Sequence, residues 1–270
     1  MVVQHNMQAA NANRMLGQNV KAVSKSTEKL SSGYKVNRAA DDAAGLSISE
    51  KMRNQIRGIN QAVSNSEDGQ YLIQTAEGNM NEIHSILQRM GELATKAAND
   101  VNASDDRSAI QDEIDQLTSE IDSISSKAQF NGKYLLDGSE PSLKLQVGAN
   151  EGEEMEITLN EISSATLQVN GLDMSSHDSA GAAMTKITEA VKTVSERRSE
   201  LGAIQNRLDY TINNLENYSE NLTSSESNIR DTDMATEMVN YSKNNILQQA
   251  AQSMLAQANQ STQGVLNLLQ

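Results

Sequence analysis

The sequence feature that most constrains this chain is a series of apolar stripes whose spacing alternates between three and four residues. The longest unbroken stripe consists of Ile73, Ala76, Met80, Ile83, Leu87, Met90, Ala94, Ala97 and Val101. Because two helical turns take about seven residues, such a stripe is narrow and continuous along one side of a helix, as in a coiled coil. The spacing therefore predicts one long helix from about residue 46 to residue 99 that packs against other helices.

Two further stripes can cover the first one. A turn is expected at 99–103, with Ser104 as the N-cap residue of the following helix. The stripe on that helix consists of Ile110, Ile114, Leu117, Ile121 and Ile124. The third stripe consists of Ile187, Val194, Leu201, Leu208, Leu215, Leu222 and Ile229, with Ile204 and Tyr218 at intermediate core positions. Three such helices can bury one another's apolar sides, which a single helix cannot do.

Both ends of the chain carry the same sevenfold spacing. Near the start the stripe consists of Val2, Ala9, Leu16, Val23 and Leu30. Near the end it consists of Leu247, Ala251, Met254, Ala258, Val265 and Leu268. The match predicts that the two ends pair in one coiled coil, although more than 200 residues separate them. Since almost no charge occurs between residues 244 and 270, we also expect the C-terminal helix to be surrounded by copies of itself.

The helical spacing disappears between about residues 131 and 179. Within this region the segments 143–147 and 155–159 alternate apolar and polar residues, and the turn-forming segment 148–154 separates them. This alternation predicts a β-hairpin, to which residues 166–169 could add a third strand. The predicted fold class is therefore mainly α. It is a long antiparallel helical hairpin or coiled-coil rod with a small β-hairpin at its distal tip.

Composition excludes several classes of function. The chain has 22 Lys and Arg against 36 Asp and Glu, which argues against nucleic acid as a partner because phosphate backbones attract clustered cations. Cysteine is absent and the three histidines stand far apart, so we expect no metal site. Carboxylate pairs at 41–42, 105–106 and 153–154 are interpreted as helix caps and solvated surface, since a thin rod has no pocket to shift a pKa. We therefore expect no enzyme and no cofactor.

No targeting segment is recognised in the sequence. Residues 1–16 have neither the apolar run of about seven or more residues nor the cleavage site of a secretory signal peptide. No stretch approaches about 18 consecutive apolar residues, so we expect no membrane insertion. These observations predict a protein that is cytosolic or that leaves the cell without a cleaved signal peptide.

Several long segments resemble bacterial flagellins. They are TEKLSSGYKVNRAADDAAGLSISEKM (27–52), QRMGELATKAAND (88–100), AQFNGKYLLDG (128–138), SNIRDTDMATEMVNYSKNNILQQAAQSMLAQANQ (227–260) and the final VLNLLQ. These segments cover both ends and most of the helical region. Because only about 40 residues lie between 138 and 179, the chain resembles the short flagellins that lack large outer domains.

The resemblance implies a domain organisation. Residues 1–36 and 231–270 would be the paired terminal helices of the inner filament, and residues 37–55 and 223–230 the linker or spoke. The outer helical rod would comprise 56–138 and 180–222, and residues 139–179 would form the hairpin tip in place of the variable outer domains.

The resemblance also implies a function and partners. The chain would be the structural subunit of the extracellular flagellar filament, exported through the flagellar type III apparatus, and would support swimming motility. Its main partner would be itself, in a helical homopolymer. Further implied partners are an export chaperone that binds the C-terminal segment, the filament cap and the hook-associated junction proteins. A host Toll-like receptor that binds many flagellins is also expected to bind this chain.

Specific residues match the contacts known in the family. Polymerisation is assigned to the two terminal stripes described above. The linker contacts with neighbouring subunits would come from Arg38, Asp41, Asp42 and Gly45, in the segment RAADDAAG. The receptor contacts would come from Arg89, Leu93 and Glu113, which lie off the apolar stripe or, for Leu93, beside it, so that they can be exposed.

Two other classes of protein share some of these features. A hook–filament junction protein would have similar ends but a weaker match through the middle helices. A cytoplasmic coiled-coil adaptor would share the composition but has no reason to carry a hairpin or the linker segment. An enzyme is the third alternative, which the missing chemistry disfavours.

Overall fold

The computed structural model describes residues 5–268, with side chains described up to residue 261. Over this range the chain forms five helices and four short strands. In order they are α1 (Met7–Ser32), α2 (Ala43–Ala97), α3 (Ser104–Lys127), β1 (Gln129–Phe130), β2 (Lys133–Tyr134), β3 (Ser142–Gln146), β4 (Glu154–Thr158), α4 (His177–Arg230) and α5 (Met234–Leu268). The predicted mainly α fold with a small β-hairpin is confirmed.

The chain divides into two compact units. The terminal unit comprises residues 1–56 and 220–270, and the central unit comprises residues 57–219. Helices α2 and α4 each contribute to both units. No helix in the described part of the chain is both long and apolar enough to cross a membrane.

The three predicted stripes form the core of the central unit. On α2 the stripe from Ile73 to Ala97 is fully buried, and it packs with Ile110, Ile114 and Ile121 of α3 and with Ile187, Val194, Leu201 and Leu208 of α4. Leu117, Ile124 and Ile204 lie at the edge of this core. The prediction of one shared core for three helices is therefore confirmed.

Two positions assigned to the stripes are exposed, and three more are half-buried outside the core of the central unit, namely Leu215, Leu222 and Ile229. Val101 is 88% exposed, because α2 ends at Ala97 and the chain turns before α3 begins. Tyr218 is also exposed, on the part of α4 beyond the last fully buried position of the stripe, Leu208. The sevenfold apolar pattern continues past the point where the partner helices end. A prediction from the pattern alone therefore overestimates how much of each helix is buried.

The start of α3 differs by one residue from the prediction. Ser104 is the first residue of the helix, and Ala103 occupies the N-cap position that Ser104 was expected to fill. The Oδ2 atom of Asp106 accepts a hydrogen bond of 3.2 Å from the backbone N–H of Ala103. A carboxylate reaching back from the third helical position therefore stabilises this end of the helix, which also favours negative charge.

The predicted hairpin forms, but along the side of α2. Strands β3 and β4 are antiparallel, with Leu143 opposite Ile157. The side-chain amide of Asn65 on α2 donates a 3.1 Å hydrogen bond to the carbonyl of Gln146 on β3. In the connecting turn, Ala149 lies directly over Gly58 of α2. The hairpin thus lies along the first half of α2 in this unit, and its expected place beyond the far end of the helices was wrong.

The expected third strand does not form. Residues 164–168 form a turn, in which the N–H of Leu167 donates to the carbonyl of Ser163 at 3.0 Å. This segment is fixed to α3, because both the backbone N–H and the hydroxyl of Ser164 donate to Asp122 at 2.8 Å. The apolar residues of this segment, Leu167 and Val169, are buried in the core of the central unit instead of forming a strand.

Candidate assembly surfaces

Helices α1 and α5 pack against each other as an antiparallel pair. At one end the side-chain amide of Asn6 donates a 3.0 Å hydrogen bond to the carbonyl of Ala258. At the other end the N–H of Thr232 donates to the carbonyl of Gly33 at 2.8 Å. The predicted pairing of the two chain ends is therefore present in the folded subunit.

The side of α1 that is partly covered follows a strict sevenfold pattern. Its half-buried or buried residues include Ala9, Ala12, Leu16, Asn19, Val23, Ser26 and Leu30, in alternating steps of three and four. Leu16, Val23 and Leu30 are thus placed where the sequence predicted a contact stripe. Their role in polymerisation stays a prediction, and Val2 lies outside the described residues.

On α5 the partly covered side is shifted relative to the prediction. It includes Tyr241, Gln248, Ala251, Leu255 and Ala258. Two residues assigned to the stripe, Leu247 and Met254, are exposed instead, Met254 to 64%. The sequence missed this because α5 has apolar residues in two adjacent registers, and the covered register includes the polar Gln248. The side chains of Val265 and Leu268, also assigned to the stripe, lie outside the described part.

The terminal unit also exposes many large apolar side chains. On α1 and α5 these are Met7, Met15, Val20, Met234, Met238, Val239, Ile246, Leu247 and Met254. At 100° per residue, Val239 and Ile246 lie roughly opposite the side of α5 marked by Gln248 and Leu255. An apolar surface of this extent in water is typical of a site that another protein covers.

The four predicted linker residues are held by contacts within the terminal unit. The Oδ1 atom of Asp42 accepts a 2.9 Å hydrogen bond from the N–H of Gly45, so Asp42 caps the start of α2. Asp41 pairs with Lys25 of α1 at 2.8 Å, and Arg38 pairs with Glu28 of α1 at 2.8 Å. The hydrogen bond to Lys25 lowers the pKa of Asp41, and the same bond raises the pKa of Lys25. These residues thus fix the linker onto α1.

A contact that sequence reasoning missed joins the two passes of the chain through the terminal unit. Tyr34 and Asp231 form an isolated antiparallel β-bridge, and the N–H of Lys35 donates to the carbonyl of Arg230 at 2.6 Å. The guanidinium of Arg230 lies 4.6 Å from the centre of the Tyr34 ring and pairs with Glu50 at 2.8 Å. The hydrogen bond from Arg230 lowers the pKa of Glu50. No short motif signals this arrangement, since its members are far apart in sequence.

The three predicted receptor contacts are not equivalent. Arg89 of α2 bonds through Nη2 to Glu113 of α3 at 2.9 Å and through Nη1 to Glu92 at 3.0 Å. These charged groups are exposed, and the bond to Glu113 raises the pKa of Arg89. Leu93 is only 3% exposed and belongs to the core, so the expectation that it can be exposed was wrong. Its position beside the stripe is close enough to the core to be covered by the neighbouring helices.

The carboxylate pairs have local structural roles. Asp42 and Asp106 accept hydrogen bonds at helix starts, as described above. Glu153 accepts a 3.0 Å hydrogen bond from the N–H of Asn150 in the hairpin turn, and its contacts to Asn150 lower its pKa. Within residues 5–268, no three His, Asp or Glu side chains converge in a way that could hold a metal ion.

Comparison with known proteins identifies the family. The model of the bacterial flagellin N-terminal helical region matches residues 3–141, and that of the bacterial flagellin C-terminal helical region matches residues 184–269. The chain belongs to the bacterial flagellin family. A flagellin of Halalkalibacterium halodurans is 53% identical, and the flagellin of Bacillus subtilis is 46% identical. Both matches cover all of this chain and all of the relative.

Solved structures agree with this assignment. A flagellin from Bacillus cereus is 30% identical, with a TM-score of 0.52 over 56% of this chain and 88% of its own. A flagellar hook-associated protein from Vibrio parahaemolyticus has a TM-score of 0.62 over 71% of this chain and all of its own, but is only 14% identical and shares the fold alone. The full-length identity to flagellins therefore favours flagellin over the junction-protein and adaptor alternatives.

Family membership settles the general kind of function. Flagellin is the structural subunit of the flagellar filament, an extracellular polymer, and it is not an enzyme. The treponemal relatives agree, since one from Treponema phagedenis that is 44% identical over its full length is named a flagellar filament 33 kDa core protein. The expectation of a structural protein is confirmed.

Proposed function

We propose that this flagellin polymerises through the faces of α1 and α5 that the α1–α5 pair leaves uncovered. The observation that carries the proposal is the exposed apolar surface of α5, in particular Val239 and Ile246. Within Met234–Leu268 the only charged residues are Glu237 and Lys243, so covering this helix with neighbouring copies desolvates little charge. Apolar burial then drives association.

The two registers of α5 have separate roles in this proposal. Ala251 and Ala258 face α1 and hold the subunit's own helix pair together. Leu247 and Met254 lie beside them but remain exposed, and they contact a second subunit. Leu16, Val23 and Leu30 of α1 serve the internal pair, and a role in polymerisation is also proposed for Val2, Val265 and Leu268.

Residues 37–55 and 223–230 are proposed as the linker between the inner helix pair and the outer rod. Arg38, Asp41, Asp42 and Gly45 give this segment a fixed conformation on α1, which a regular polymer requires if every subunit is to meet its neighbours in the same way. The outer rod would comprise 56–138 and 180–222. The remaining segment, 139–179, takes the place of the variable outer domains.

Export, motility and the accessory partners are proposed on the basis of family membership. The chain would leave the cell through the flagellar type III apparatus, with a chaperone on its C-terminal segment, and would contact the filament cap and the hook-associated junction proteins. The resulting filament would support swimming. The apolar residues that α5 exposes give a chaperone a surface to cover before assembly.

The experiment that tests polymerisation changes exposed valines in two places. Val239→Gln removes an apolar contact from the exposed face of α5, and Val101→Gln makes the same chemical change in the turn after α2, where the side chain is even more exposed. Seeded growth of purified subunits is followed by light scattering and by negative-stain microscopy. We expect Val101→Gln to form filaments and Val239→Gln, alone or with Ile246→Gln, to form few or none.

Circular dichroism of the unassembled variants checks that their helix content is unchanged. If Val239→Gln and Ile246→Gln together left the rate and the critical concentration of filament growth unaltered, the exposed face of α5 would not be the assembly surface. If the unmodified protein formed no filaments from seeds, the proposal of self-assembly would itself be wrong.

A second proposal concerns recognition by a host Toll-like receptor. Arg89 and Glu113 form an exposed, charged patch across α2 and α3. Leu93 lies one helical turn from Arg89 and is buried, so it does not contact the receptor itself. The Arg89 guanidinium is exposed, so it can exchange its hydrogen bonds with Glu92 and Glu113 for hydrogen bonds to the receptor.

A receptor reporter assay tests this second proposal. Arg89→Ala and Glu113→Ala should each reduce signalling, whereas Arg197→Ala, which removes a half-buried arginine paired with Glu200 at 2.9 Å on α4, should not. Equal signalling from the wild-type protein and Arg89→Ala would contradict the assignment.

A further inference from the structure

Within residues 5–261, exposed methionines occur only on the two terminal helices. Among the residues whose side chains are described, the exposed ones are Met7, Met15, Met234, Met238 and Met254. In the central unit Met80, Met90, Met155 and Met174 are buried, and Met184 is only partly exposed. Thioether side chains therefore make up a large part of the face that we propose for assembly.

Two of these methionines share one groove. Met15 of α1 and Met254 of α5 line one groove between the paired helices, with Gln8 and Asn11 on the same wall. A flexible thioether adapts well to an irregular apolar partner, which suits a surface that must fit a second copy. The same side chain is open to solvent oxidants for as long as the groove is uncovered.

We propose that these five methionines make filament assembly sensitive to oxidation, an inference that rests on the proposed assembly function. A peroxide is the oxidant. The methionine sulfur attacks one peroxide oxygen, the O–O bond breaks, and the sulfur gains that oxygen as a sulfoxide. With hydrogen peroxide the hydrogen on the transferred oxygen moves to the other oxygen, which leaves as water, so the sulfur loses two electrons and the peroxide gains them. Free subunits are the form that reacts, because assembly covers the side chains.

The sulfoxide changes what the surface can bind. It is a strong hydrogen-bond acceptor, and burying it against an apolar neighbour leaves that acceptor unsatisfied. In the groove, the amides of Gln8 and Asn11 can instead donate to an oxidised Met15 or Met254, which turns the groove into a polar surface. In both cases the oxidised face no longer matches an apolar partner.

The first test compares oxidised and untreated wild-type subunits. Purified monomers are treated with hydrogen peroxide, and mass spectrometry locates the sulfoxides. We expect the five exposed methionines to react well before Met80 and Met90, which are an internal control in the same chain. We then expect seeded growth to require about tenfold more protein, or to fail, and treatment with a methionine sulfoxide reductase to restore it.

A variant separates methionine oxidation from other damage. Replacing the five exposed methionines by leucine conserves volume and apolar character, and peroxide should leave the critical concentration of this variant at the value it has before treatment. If all five replacements together weaken growth, the set on α1 and the set on α5 are tested separately, and each should give partial resistance.

A measurement on filaments gives an independent check with the wild-type protein alone. Peroxide added after assembly should leave the five methionines mostly unmodified, because neighbouring subunits cover them. Normal growth of subunits that mass spectrometry shows to carry sulfoxides at these positions would overturn the inference and leave self-assembly intact. Failure of untreated subunits to grow would overturn the assembly proposal instead, so the two failures are distinguishable.

Discussion

Arg89 and Leu93 lie one helical turn apart on α2 but serve different purposes. The Arg89 guanidinium is exposed and bonded to Glu113 and Glu92, whereas Leu93 is buried among the three helices of the central unit. Residues four apart on a helix point to nearly the same side, so a small rotation decides which of them is covered. A substitution at Leu93 therefore acts on stability before it can act on recognition.

Leu93→Ala should lower the free energy of unfolding by about 2–5 kcal/mol, because it leaves a cavity in a packed core. Arg89→Ala should change it far less, since the side chain is exposed and its ion pairs are screened by water. Urea denaturation followed by circular dichroism measures both. Equal destabilisation by the two variants would mean that Leu93 is not a core residue.

The ion pair between Glu50 and Arg230 should make the terminal unit sensitive to acid. Because the pKa of Glu50 is lower in the folded protein than its ordinary value of 4.5, the pair stabilises the fold above that value. The stabilisation is lost as the pH falls through the lower, folded-state pKa. The melting temperature of Glu50→Gln should thus lie below that of the wild type at pH 7, and the gap should close as the pH falls below about 4.5.

A glutamate elsewhere on α2 provides the control for this pH series. Glu67→Gln removes one negative charge from an exposed position of the same helix. The ion pair would be excluded as the cause if the melting temperatures of Glu50→Gln and the wild type differed by the same amount from pH 7 to strongly acidic solution.

At the scale of elements, the apolar spacing is enough to predict the helices but not which other elements pack along their sides. The stripe on α2 predicted the helix to within a few residues of its ends, because burial in a helix bundle depends mainly on periodicity. The position of the hairpin could not be predicted in this way. It depends on Gly58 and Gly69, which lack side chains where Ala149 and Leu145 approach the helix, and a spacing analysis treats such residues as gaps.

The same limit applies to α5. Its apolar residues fit two adjacent registers, and only the packing against α1 decides that Leu255, and not Met254, is covered. The ion pairs of the linker could not be predicted from the sequence either. Their partner residues lie on α1 and become neighbours of the linker only when the chain folds back. The helix pair itself was predictable, since both of its members carry the spacing.

Gly58→Ala should displace the hairpin. A methyl group at this position would lie 2.9 Å from the Cβ atom of Ala149, closer than two carbon atoms can approach without a shift. Hydrogen exchange should therefore become faster in β3 and β4. Gly78→Ala is the matched control on the same helix, because a methyl group there meets no atom within 4 Å.

The control variant Gly78→Ala should raise the free energy of unfolding by about 0.5–1 kcal/mol, the usual gain from replacing glycine by alanine within a helix. Unchanged exchange in both strands of Gly58→Ala would indicate that the hairpin is held mainly by other contacts, such as the bond from Asn65 to Gln146.

At the scale of the whole molecule, charge is divided unevenly between the two units. Residues 57–219 contain 12 Lys and Arg against 27 Asp and Glu, whereas the rest of the chain contains 10 against 9. The nearly neutral terminal unit bears the proposed assembly surface. The repulsion expected between subunits with a net charge of −14 therefore arises from the central unit and not from the unit that bears the apolar faces.

Salt should therefore favour filament growth up to moderate concentration. Raising the ionic strength from about 0.01 to 0.15 M shortens the Debye length from about 30 to 8 Å, which weakens repulsion between the acidic units and leaves apolar contacts intact. The critical concentration, measured by light scattering of seeded subunits, should fall over this range. A rise would mean that attraction between opposite charges dominates assembly.

The crossing of the chain at Tyr34 and Asp231 has a mechanical consequence. Hydrogen bonds from the N–H groups of Lys35 and Thr232 join the two segments there. The guanidinium of Arg230 adds a contact with the Tyr34 ring and an ion pair with Glu50. Tension that enters through either terminal helix is thus divided between two covalent backbones at this joint. In the swimming filament proposed above, both backbones would therefore share the load that rotation places on either terminal helix.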